Sequence, residues 1–285
     1  MLDRFARRFV AGPSLEKALA LVREDNLLEI YGVLNYLGEH FEDEESVNDA
    51  VQRYTDAIRE IRRRKLGAQI SLKPTQIGLR LSESIFRQNL TTILKEAETS
   101  GVFVWVDMES SRYTQQTIDA YRELRQFHGN TGITLQACLK RTENDLDVLM
   151  AQKAIVRLVK GAYAEKDELL VGGRTAVAQN YRLLMRMLFE NGGSFVVATH
   201  DDELLDHAVK LSEEYQMEPE FQLLLGVREG LQARLAADGY RVGEYIPYGK
   251  KCLRYFERRV REKKTALFKA PIDFFAYRHE RLARV

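Results

Sequence analysis

The sequence predicts a (β/α)8 barrel, and three observations support that fold. Apolar or β-prone segments alternate eight times with segments of helical character, the pattern of parallel strands joined by helices. The chain has 285 residues, which is close to the length of such a barrel. The sequence also lacks Gly-x-Gly-x-x-Gly after the first strand and Gly-x-x-x-x-Gly-Lys-Ser/Thr anywhere. Their absence weakens the alternative of an open doubly wound sheet that binds nucleotides.

The elements follow from runs rich in Val, Ile, Leu and aromatic residues, which predict strands, and from the longer amphipathic segments between them. All five prolines lie at or near the ends of predicted elements. A helical segment (Ser14–Asp25) comes first. The predicted strands are Leu28–Gly38, Gln69–Lys73, Val102–Asp107, Ile133–Cys138, Ile155–Val159, Ser194–Thr199, Glu220–Leu225 and Tyr240–Ile246. The helices between them are Ser46–Arg64, Ser82–Thr99, Thr114–Phe127, Glu143–Gln152, Ala176–Glu190, Asp202–Tyr215 and Arg228–Ala237, with an arginine-rich helix after the last strand.

We expect a single domain over residues 1–285, with an N-terminal helical segment at 1–27, the barrel at 28–264 and a C-terminal tail at 265–285. The 43 basic and 42 acidic residues nearly cancel, so the chain has no global field for nucleic acid. No apolar run reaches the length of a membrane span, and the start lacks a signal-peptide core. The two cysteines indicate no disulfide framework. A soluble protein, attached at most to a membrane surface, is expected.

Polar residues stand at every predicted strand end, where barrels of this class carry their function. Each one alone has an ordinary explanation, such as a helix cap or a lysine that reaches solvent. The whole set is harder to explain that way and predicts a site at this end of the barrel. Its members are Glu39, Lys73, Asp107, Gln136, Arg157 with Lys160, Thr199 with His200, Gln222, and Tyr245.

Two kinds of catalytic site find no support in the sequence. The five histidines are scattered without metal-ligand spacing, so no metal site is expected. No Ser or Cys lies in an elbow motif, which argues against a nucleophilic triad. The glycine-rich loop Val171–Thr175 precedes a helix and could offer N–H groups to an anion, but this signal is weak by itself.

The arginine-rich helix after the last strand allows two interpretations. At about 100° per residue, its charged side opposes an apolar side. The charged side either faces water, or its adjacent guanidinium groups bind a small carboxylate in bidentate fashion. The helix alone leaves both open. The charged side consists of Tyr255, Arg258, Arg259 and Glu262.

Several of these motifs together resemble the proline dehydrogenase family, flavin-dependent barrel enzymes that also occur as a domain of bifunctional proline-utilisation proteins. The most specific are Arg157-Leu-Val-Lys-Gly-Ala-Tyr163 and the Tyr-x-x-Arg-Arg-x-x-Glu helix at 255–262. Shorter matches occur in the right order through most of the chain, at Leu37–Glu39, Ile70–Lys73, Val106–Asp107, Gln136–Ala137, Ala198–His200, Glu220–Gln222 and Tyr245–Gly249.

The resemblance implies FAD-dependent oxidation of L-proline to Δ1-pyrroline-5-carboxylate, the first step of proline catabolism to glutamate. It implies a distorted barrel whose last helix sits over the mouth. It further implies quinone as electron acceptor, contact with the inner face of the cell membrane by an otherwise cytoplasmic protein, and pyrroline-5-carboxylate dehydrogenase as a functional partner.

The resemblance also assigns roles to residues of this chain. Asp107 and Arg157 would be catalytic, with Arg157 near flavin N5 and Asp107 paired with Lys73. Glu39 would pair with Arg258 as a gate. The residues that would bind or enclose the substrate are Lys73, Tyr163, Leu224, Tyr245, Tyr255, Arg258 and Arg259. Those that would bind FAD are Met108, Gln136, Arg157, Val159, Lys160, Gly161, Ala162, Thr199, His200 and Glu262.

Two alternatives remain at this point: a related flavin enzyme acting on hydroxyproline or another cyclic amino acid, and a silent flavin-binding protein. Tyr245 favours proline over hydroxyproline, because an aromatic hydroxyl would crowd the far side of the substrate ring. Intact Lys73, Asp107 and Arg157 count against a silent protein. Ala164 departs from the family, which often has an aromatic residue there; the change would affect flavin packing and leave the carboxylate-binding residues untouched.

Overall fold

Eight parallel strands pair in sequence order and close into a barrel in the computed structural model, which describes residues 8–249. The prediction of a (β/α)8 barrel is confirmed. The strands are β1 (Ile30–Tyr36), β2 (Ala68–Leu72), β3 (Val104–Val106), β4 (Thr131–Gln136), β5 (Ile155–Val159), β6 (Phe195–Ala198), β7 (Glu220–Leu224) and β8 (Val242–Tyr248).

Helices cover the outside of the barrel. Helix α1 (Leu15–Asn26) precedes the first strand, as expected for the N-terminal segment, and one helix follows each of the strands β1 to β7. These helices are α2 (Glu44–Arg64), α3 (Glu83–Ser100), α4 (Thr114–Arg125), α5 (Thr142–Met150), α6 (Arg174–Asn191), α7 (Asp202–Tyr215) and α8 (Glu229–Ala237). The arginine-rich helix and the tail lie outside the described residues, so their predicted placement stays a prediction.

Local chemistry fixes where the helices begin and end. The Asp43 side chain accepts a hydrogen bond of 2.7 Å from the backbone N–H of Ser46 and so caps the start of α2. A cap of this kind stabilises a helix by about 1 kcal/mol. Helix α3 ends at Gly101, whose φ of 68° is the left-handed conformation that glycine adopts without strain. Residues Tyr54, Ile58 and Ile61 form the buried side of α2 at helical spacing.

All predicted strands except β5 are shifted by one or two residues at one or both ends, and two of these shifts have identifiable reasons. Strand β3 begins at Val104 instead of Val102, because the N–H of Val102 bonds to the carbonyl of Ala97 at 2.9 Å and closes the preceding helix. Strand β8 runs on to Tyr248, past Pro247. Its pairing with β1 continues to the end of that strand, and the N–H of Leu37 donates to the carbonyl of Tyr248 at 2.8 Å.

Closure of the barrel depends on the pairing of β1 with β8, which covers seven residue pairs. Helix α1 packs against this seam. A Cβ atom at Gly32 would lie only 2.4 Å from Cγ2 of Val22, so glycine is what lets α1 approach β1 this closely. The N-terminal segment is therefore part of the packed structure.

Apolar side chains form two layers. The larger layer lies between the strands and the helices and includes Leu34, Ile58 and Phe86. A smaller group, which includes Val33 and Trp105, packs separately, as expected for strand positions that alternate toward the barrel interior. Within residues 8–249, no helix combines the length and the apolar character that a bilayer-spanning segment needs.

Candidate active site

The carboxyl ends of the parallel strands meet at one rim of the barrel, and most of the polar residues identified from the sequence lie at that end; Arg157 and Gln222, predicted at strand ends, lie inside β5 and β7. Lys73 follows β2, Asp107 follows β3 and Tyr245 lies in β8. Because the barrel is closed, only β1 separates β8 from β2. The three side chains therefore converge although they are far apart in sequence.

Lys73, Asp107 and Tyr245 form one hydrogen-bonded group. The Lys73 ammonium donates to Oδ2 of Asp107 at 2.8 Å, and the Tyr245 hydroxyl donates to the same oxygen at 2.8 Å. The Lys73 nitrogen lies 3.4 Å from the Tyr245 oxygen. Only 11% of the Lys73 side chain and 12% of the Asp107 side chain are exposed. The pair is thus removed from bulk water, where a surface ion pair would contribute little.

Arg157 reaches Asp107 from the barrel interior. Its guanidinium donates to the second carboxylate oxygen, Oδ1, and to the hydroxyl of Ser71 at 2.8 Å. It also donates to Oγ1 of Thr134 at 3.0 Å and to Oε1 of Gln222 at 2.8 Å. The guanidinium carbon lies 4.9 Å from the ring centre of Trp105 and 5.6 Å from that of Tyr245. These contacts fix the cation between two aromatic rings and beneath the carboxylate.

Asp107 is ionised at neutral pH because it has two cationic neighbours. Burial by itself raises the pKa of a carboxyl, but Lys73 and Arg157 outweigh that effect and lower the pKa of Asp107 to about 2. Burial likewise opposes the charged form of Lys73, and the attraction of Asp107 outweighs it, so the pKa of Lys73 lies well above its usual range. The site therefore holds a fixed arrangement of charges over the physiological pH range.

The backbone at Gly161, just after β5, lies beside the side chains of Gln136 and Cys138 at the end of β4. Gly161, just past β5, has a φ of 107°, and a Cβ there would lie 2.3 Å from Sγ of Cys138 and 3.4 Å from Oε1 of Gln136. Gln136 donates from Nε2 to the carbonyl oxygen of Glu109 at 2.9 Å. Glycine at 161 therefore lets the turn after β5 pack directly against Cys138 and the Gln136 amide.

Next to this turn, Lys160 supplies a positive charge, and Thr199 and His200 after β6 supply hydrogen-bonding groups. The Lys160 ammonium is 2.6 Å from Oδ2 of Asp201, and 37% of its side chain is exposed. Oγ1 of Thr199 accepts the N–H of Asp201 at 3.2 Å. Nε2 of His200 accepts the N–H of Leu224 at 3.0 Å, which ties the end of β6 to that of β7.

The other predicted site residues take different surroundings. The Tyr163 hydroxyl lies 3.4 Å from a carboxylate oxygen of Glu39, so these two meet across the barrel mouth. Val159 is half-buried and Ala162 is exposed. Met108 is 6% exposed and belongs to the main apolar core. The predicted residues Tyr255, Arg258, Arg259 and Glu262 lie outside the described residues.

Sequence reasoning missed the residues that support Asp107 and Arg157 from within the barrel. Ser71 donates to Oδ1 of Asp107 at 2.8 Å, and Thr134 binds Arg157. Glu109 is fully buried and holds the turn after Lys73. The available signal was the alternation of polar with apolar residues along a strand, as with Gln69 and Ser71 in Ala68–Leu72.

A closed parallel barrel with a buried cluster of charges at the carboxyl ends of its strands defines a barrel enzyme. A family model described as proline dehydrogenase matches residues 18–268. The chain belongs to the proline dehydrogenase family, as the motifs predict.

Relatives and solved structures agree with this assignment. Proline dehydrogenase 1 of Bacillus subtilis (strain 168) is 35% identical over 261 residues, which are 90% of this chain and 86% of the relative. Proline dehydrogenase of Deinococcus radiodurans is 32% identical over 265 residues, with the same coverage. The structure of proline utilization A from Bdellovibrio bacteriovorus superposes with a TM-score of 0.86 at 22% identity; the alignment covers 92% of this chain and 33% of that chain. At this identity the structural likeness concerns the fold.

Proposed function

We propose that this enzyme uses FAD to oxidise L-proline to Δ1-pyrroline-5-carboxylate. In this reaction the C5–H bond of proline would break with its electron pair, and FAD, when bound, would supply the two-electron acceptor. The ring nitrogen loses its proton and a C5=N double bond forms. The observation that carries the proposal is the Lys73 ammonium at the barrel mouth, largely shielded from water and held by Asp107 and Tyr245.

Lys73 supplies the cation that the proline carboxylate needs. Asp107 and Tyr245 fix the ammonium, so little side-chain entropy remains to be lost when the carboxylate binds. A substrate as small as proline offers few contacts, and its position relative to the flavin must be fixed to within about 1 Å. In our proposal Arg258 and Arg259, which lie outside the described residues, bind the same carboxylate.

Asp107 provides negative charge near the substrate amine. Since its pKa is lowered to about 2, it stays ionised and is a weak proton acceptor at neutral pH. Its proposed role is electrostatic: it orients Lys73 and stabilises positive charge that develops on the ring nitrogen as hydride leaves. Arg157, on the other side of Asp107, brings positive charge toward the region where the flavin gains electrons.

The residues on the β4 to β6 rim fit a flavin. FAD supplies a ring that accepts hydride when it is bound. Gly161 lets the turn after β5 pack against Cys138 and Gln136, and we propose that the backbone of this turn and the Gln136 amide meet the flavin ring. Lys160 and His200 lie further along the rim, suited to the ribityl and pyrophosphate portions. Val159, Ala162, Thr199 and Glu262 are proposed to complete this binding surface, and Met108 to support it from the apolar core.

Aromatic and apolar side chains would enclose the substrate and exclude water from the path of the hydride. We assign this to Tyr163, Leu224 and Tyr245, together with Tyr255. Glu39, which lies 3.4 Å from the Tyr163 hydroxyl, would close the mouth by pairing with Arg258. Quinone as acceptor, contact with the inner face of the cell membrane and passage of the product to pyrroline-5-carboxylate dehydrogenase follow from the same proposal.

A spectroscopic titration tests the proposal. The purified protein should be yellow, and L-proline added without oxygen should bleach the visible flavin absorption. D-proline and glycine serve as controls that keep a carboxylate and an amine. A protein that binds FAD and keeps its colour at saturating L-proline would contradict the proposed reaction.

A further inference from the structure

Glu109 is a fully buried carboxyl that plays no part in the proposed chemistry. It lies two residues after Asp107, in the segment that follows β3. Its Oε2 accepts the backbone N–H of Thr75 at 2.8 Å, and its Oε1 accepts the Thr75 hydroxyl at 2.7 Å. Thr75 in turn lies two residues after Lys73. The two segments that carry the Lys73–Asp107 pair are thus joined a second time, by Glu109.

Thr75 also joins the segment after β1. Its Oγ1 accepts the backbone N–H of His40 at 2.9 Å, and its carbonyl accepts that of Phe41 at 3.2 Å. His40 has a φ of 58°, so this segment turns sharply directly after Glu39. Through its side chain and Thr75, Glu109 connects the segments that follow β1, β2 and β3, and its backbone carbonyl accepts a hydrogen bond from Gln136 at the end of β4.

The charges around Glu109 are few and mixed. Lys73 faces it from the end of β2, Glu39 and His40 from the segment after β1, and Asp107 lies on its own segment. Burial raises the pKa of Glu109 to about 7, and this effect outweighs the hydrogen bonds from Thr75 and the attraction of Lys73. Glu109 therefore changes its charge in the neutral range, unlike Asp107.

We propose that Glu109 is a positioning residue for substrate binding: its ionised carboxylate, acting through Thr75, holds the segments that carry Lys73 and Glu39 in the arrangement that binds the substrate. This proposal rests on the proposed function. It assigns to Glu109 no contact with substrate or flavin.

The hydrogen-bond pattern explains why ionisation matters. An ionised carboxylate accepts from both the N–H and the hydroxyl of Thr75, as seen here. A protonated carboxyl has one O–H that must itself donate, and the Thr75 hydroxyl, which already accepts from His40, then has to reorient. Protonation therefore weakens the connection between the segments after β1, β2 and β3.

The variant Glu109→Gln tests this proposal, because an amide resembles the protonated carboxyl and does not titrate. We expect KM for L-proline to rise about tenfold at high pH, the effect of losing one hydrogen bond to a charged group, while kcat falls much less. The readout is the ratio of the variant's KM to the wild-type KM from about pH 6 to about pH 9. Ionisation of proline itself cancels in this ratio. We expect a ratio near one at the acidic end that rises to its plateau as the pH passes about 7.

Two further variants and a control complete the kinetic test. Thr75→Val removes the hydroxyl and should raise KM, whereas Thr75→Ser keeps the hydroxyl and should restore wild-type KM and its pH dependence. These two carry the test if Glu109→Gln does not fold. Glu96→Gln removes a carboxylate that pairs with Arg59 at 2.7 Å on the outside of the barrel, and its KM ratio should stay at one.

Amide hydrogen exchange provides a readout that is independent of turnover. In peptides containing His40 and Thr75, Glu109→Gln should exchange faster than wild type at about pH 8 and at a similar rate at about pH 6. A KM ratio above one that does not vary with pH would mean a merely structural role and would overturn the proposal. Unchanged hydrogen exchange in Glu109→Gln, or an unchanged KM in Thr75→Val, would overturn it as well. If L-proline fails to bleach the wild-type flavin, the proposed function fails, and the exchange experiment still decides whether Glu109 holds these segments.

Discussion

At the scale of single residues, Asp107 is the point where the charges of the site meet. One oxygen binds Lys73 and Tyr245, and the other binds Ser71 and Arg157. A buried carboxylate between two cations is stable only while all three are present, because removing one leaves an uncompensated charge. This dependence makes Asp107 the most sensitive residue among those described.

Replacing Asp107 with Asn should therefore leave two buried cations around a neutral amide. We expect the free energy of unfolding to fall by about 3 kcal/mol, measured by urea denaturation, and kcat/KM for proline to fall at least about a hundredfold. Ser71→Ala keeps all three charges and should lower the free energy of unfolding by about 1 kcal/mol. Similar losses in the two variants would contradict this role of Asp107.

Tyr245 should decide between proline and its hydroxylated analogue. Its hydroxyl is fixed by Asp107 at 2.8 Å and its ring lies over Arg157, so it cannot move aside easily. We expect wild-type kcat/KM to be at least about tenfold higher for L-proline than for trans-4-hydroxy-L-proline. Tyr245→Phe removes only the crowding hydroxyl and Tyr245→Ser removes the whole ring, so both variants should reduce this preference. Comparable kcat/KM values for both substrates in wild type would rule the idea out.

At the scale of elements, the turn after β5 shows how backbone conformation creates a binding surface. Arg157 lies within the strand, and Gly161 follows it in a conformation that other residues rarely adopt. The absence of a side chain at 161 brings the main chain against Cys138 and Gln136. The turn after β5 is consequently packed directly against the end of β4 at this position.

Gly161→Ala should damage flavin binding without destroying the fold. The added Cβ would lie 2.3 Å from Sγ of Cys138, and the φ of 107° is strained for alanine. We expect the purified variant to retain less than about half of the flavin per chain and to lose about 1 to 3 kcal/mol of stability. Gly173→Ala, where the new Cβ has no atom within 4 Å, is the matched control and should retain its flavin. Full flavin content in Gly161→Ala would refute this interpretation.

At the scale of the whole molecule, closing the barrel is what assembles the site. Its members come from β2, β3, β5 and β8, and the pairing of β1 with β8 brings the last strand next to the first. The site and the fold therefore share one cooperative unit, and buried titratable groups of the site affect the stability of the whole barrel.

Glu109 should make that stability depend on pH in the neutral range. Its pKa is about 7 in the folded protein and near its ordinary value of about 4.3 in the unfolded chain, so the folded state binds more protons between these values. Its contribution to stability is complete below about pH 4 and is lost as the pH rises through about 7. Global unfolding rehydrates the buried charge, whatever the local hydrogen bonds to Thr75 contribute while the protein is folded, so between about pH 5 and about pH 8 urea denaturation should show wild type losing stability relative to Glu109→Gln. A constant difference would indicate that Glu109 does not titrate there.

The sequence by itself determined the barrel, because the alternation of strand and helix patterns requires only local periodicity. It also identified Lys73, Asp107, Arg157 and Tyr245, since residues at carboxyl ends of parallel strands must share one rim. Only the tertiary structure decided that Arg157 reaches back to Asp107 inside the barrel, that Met108 packs in the core, and that Glu109 and Thr75 join the segments after β1, β2 and β3. These contacts depend on strand register and side-chain direction across the sheet, which no pattern along a single chain encodes.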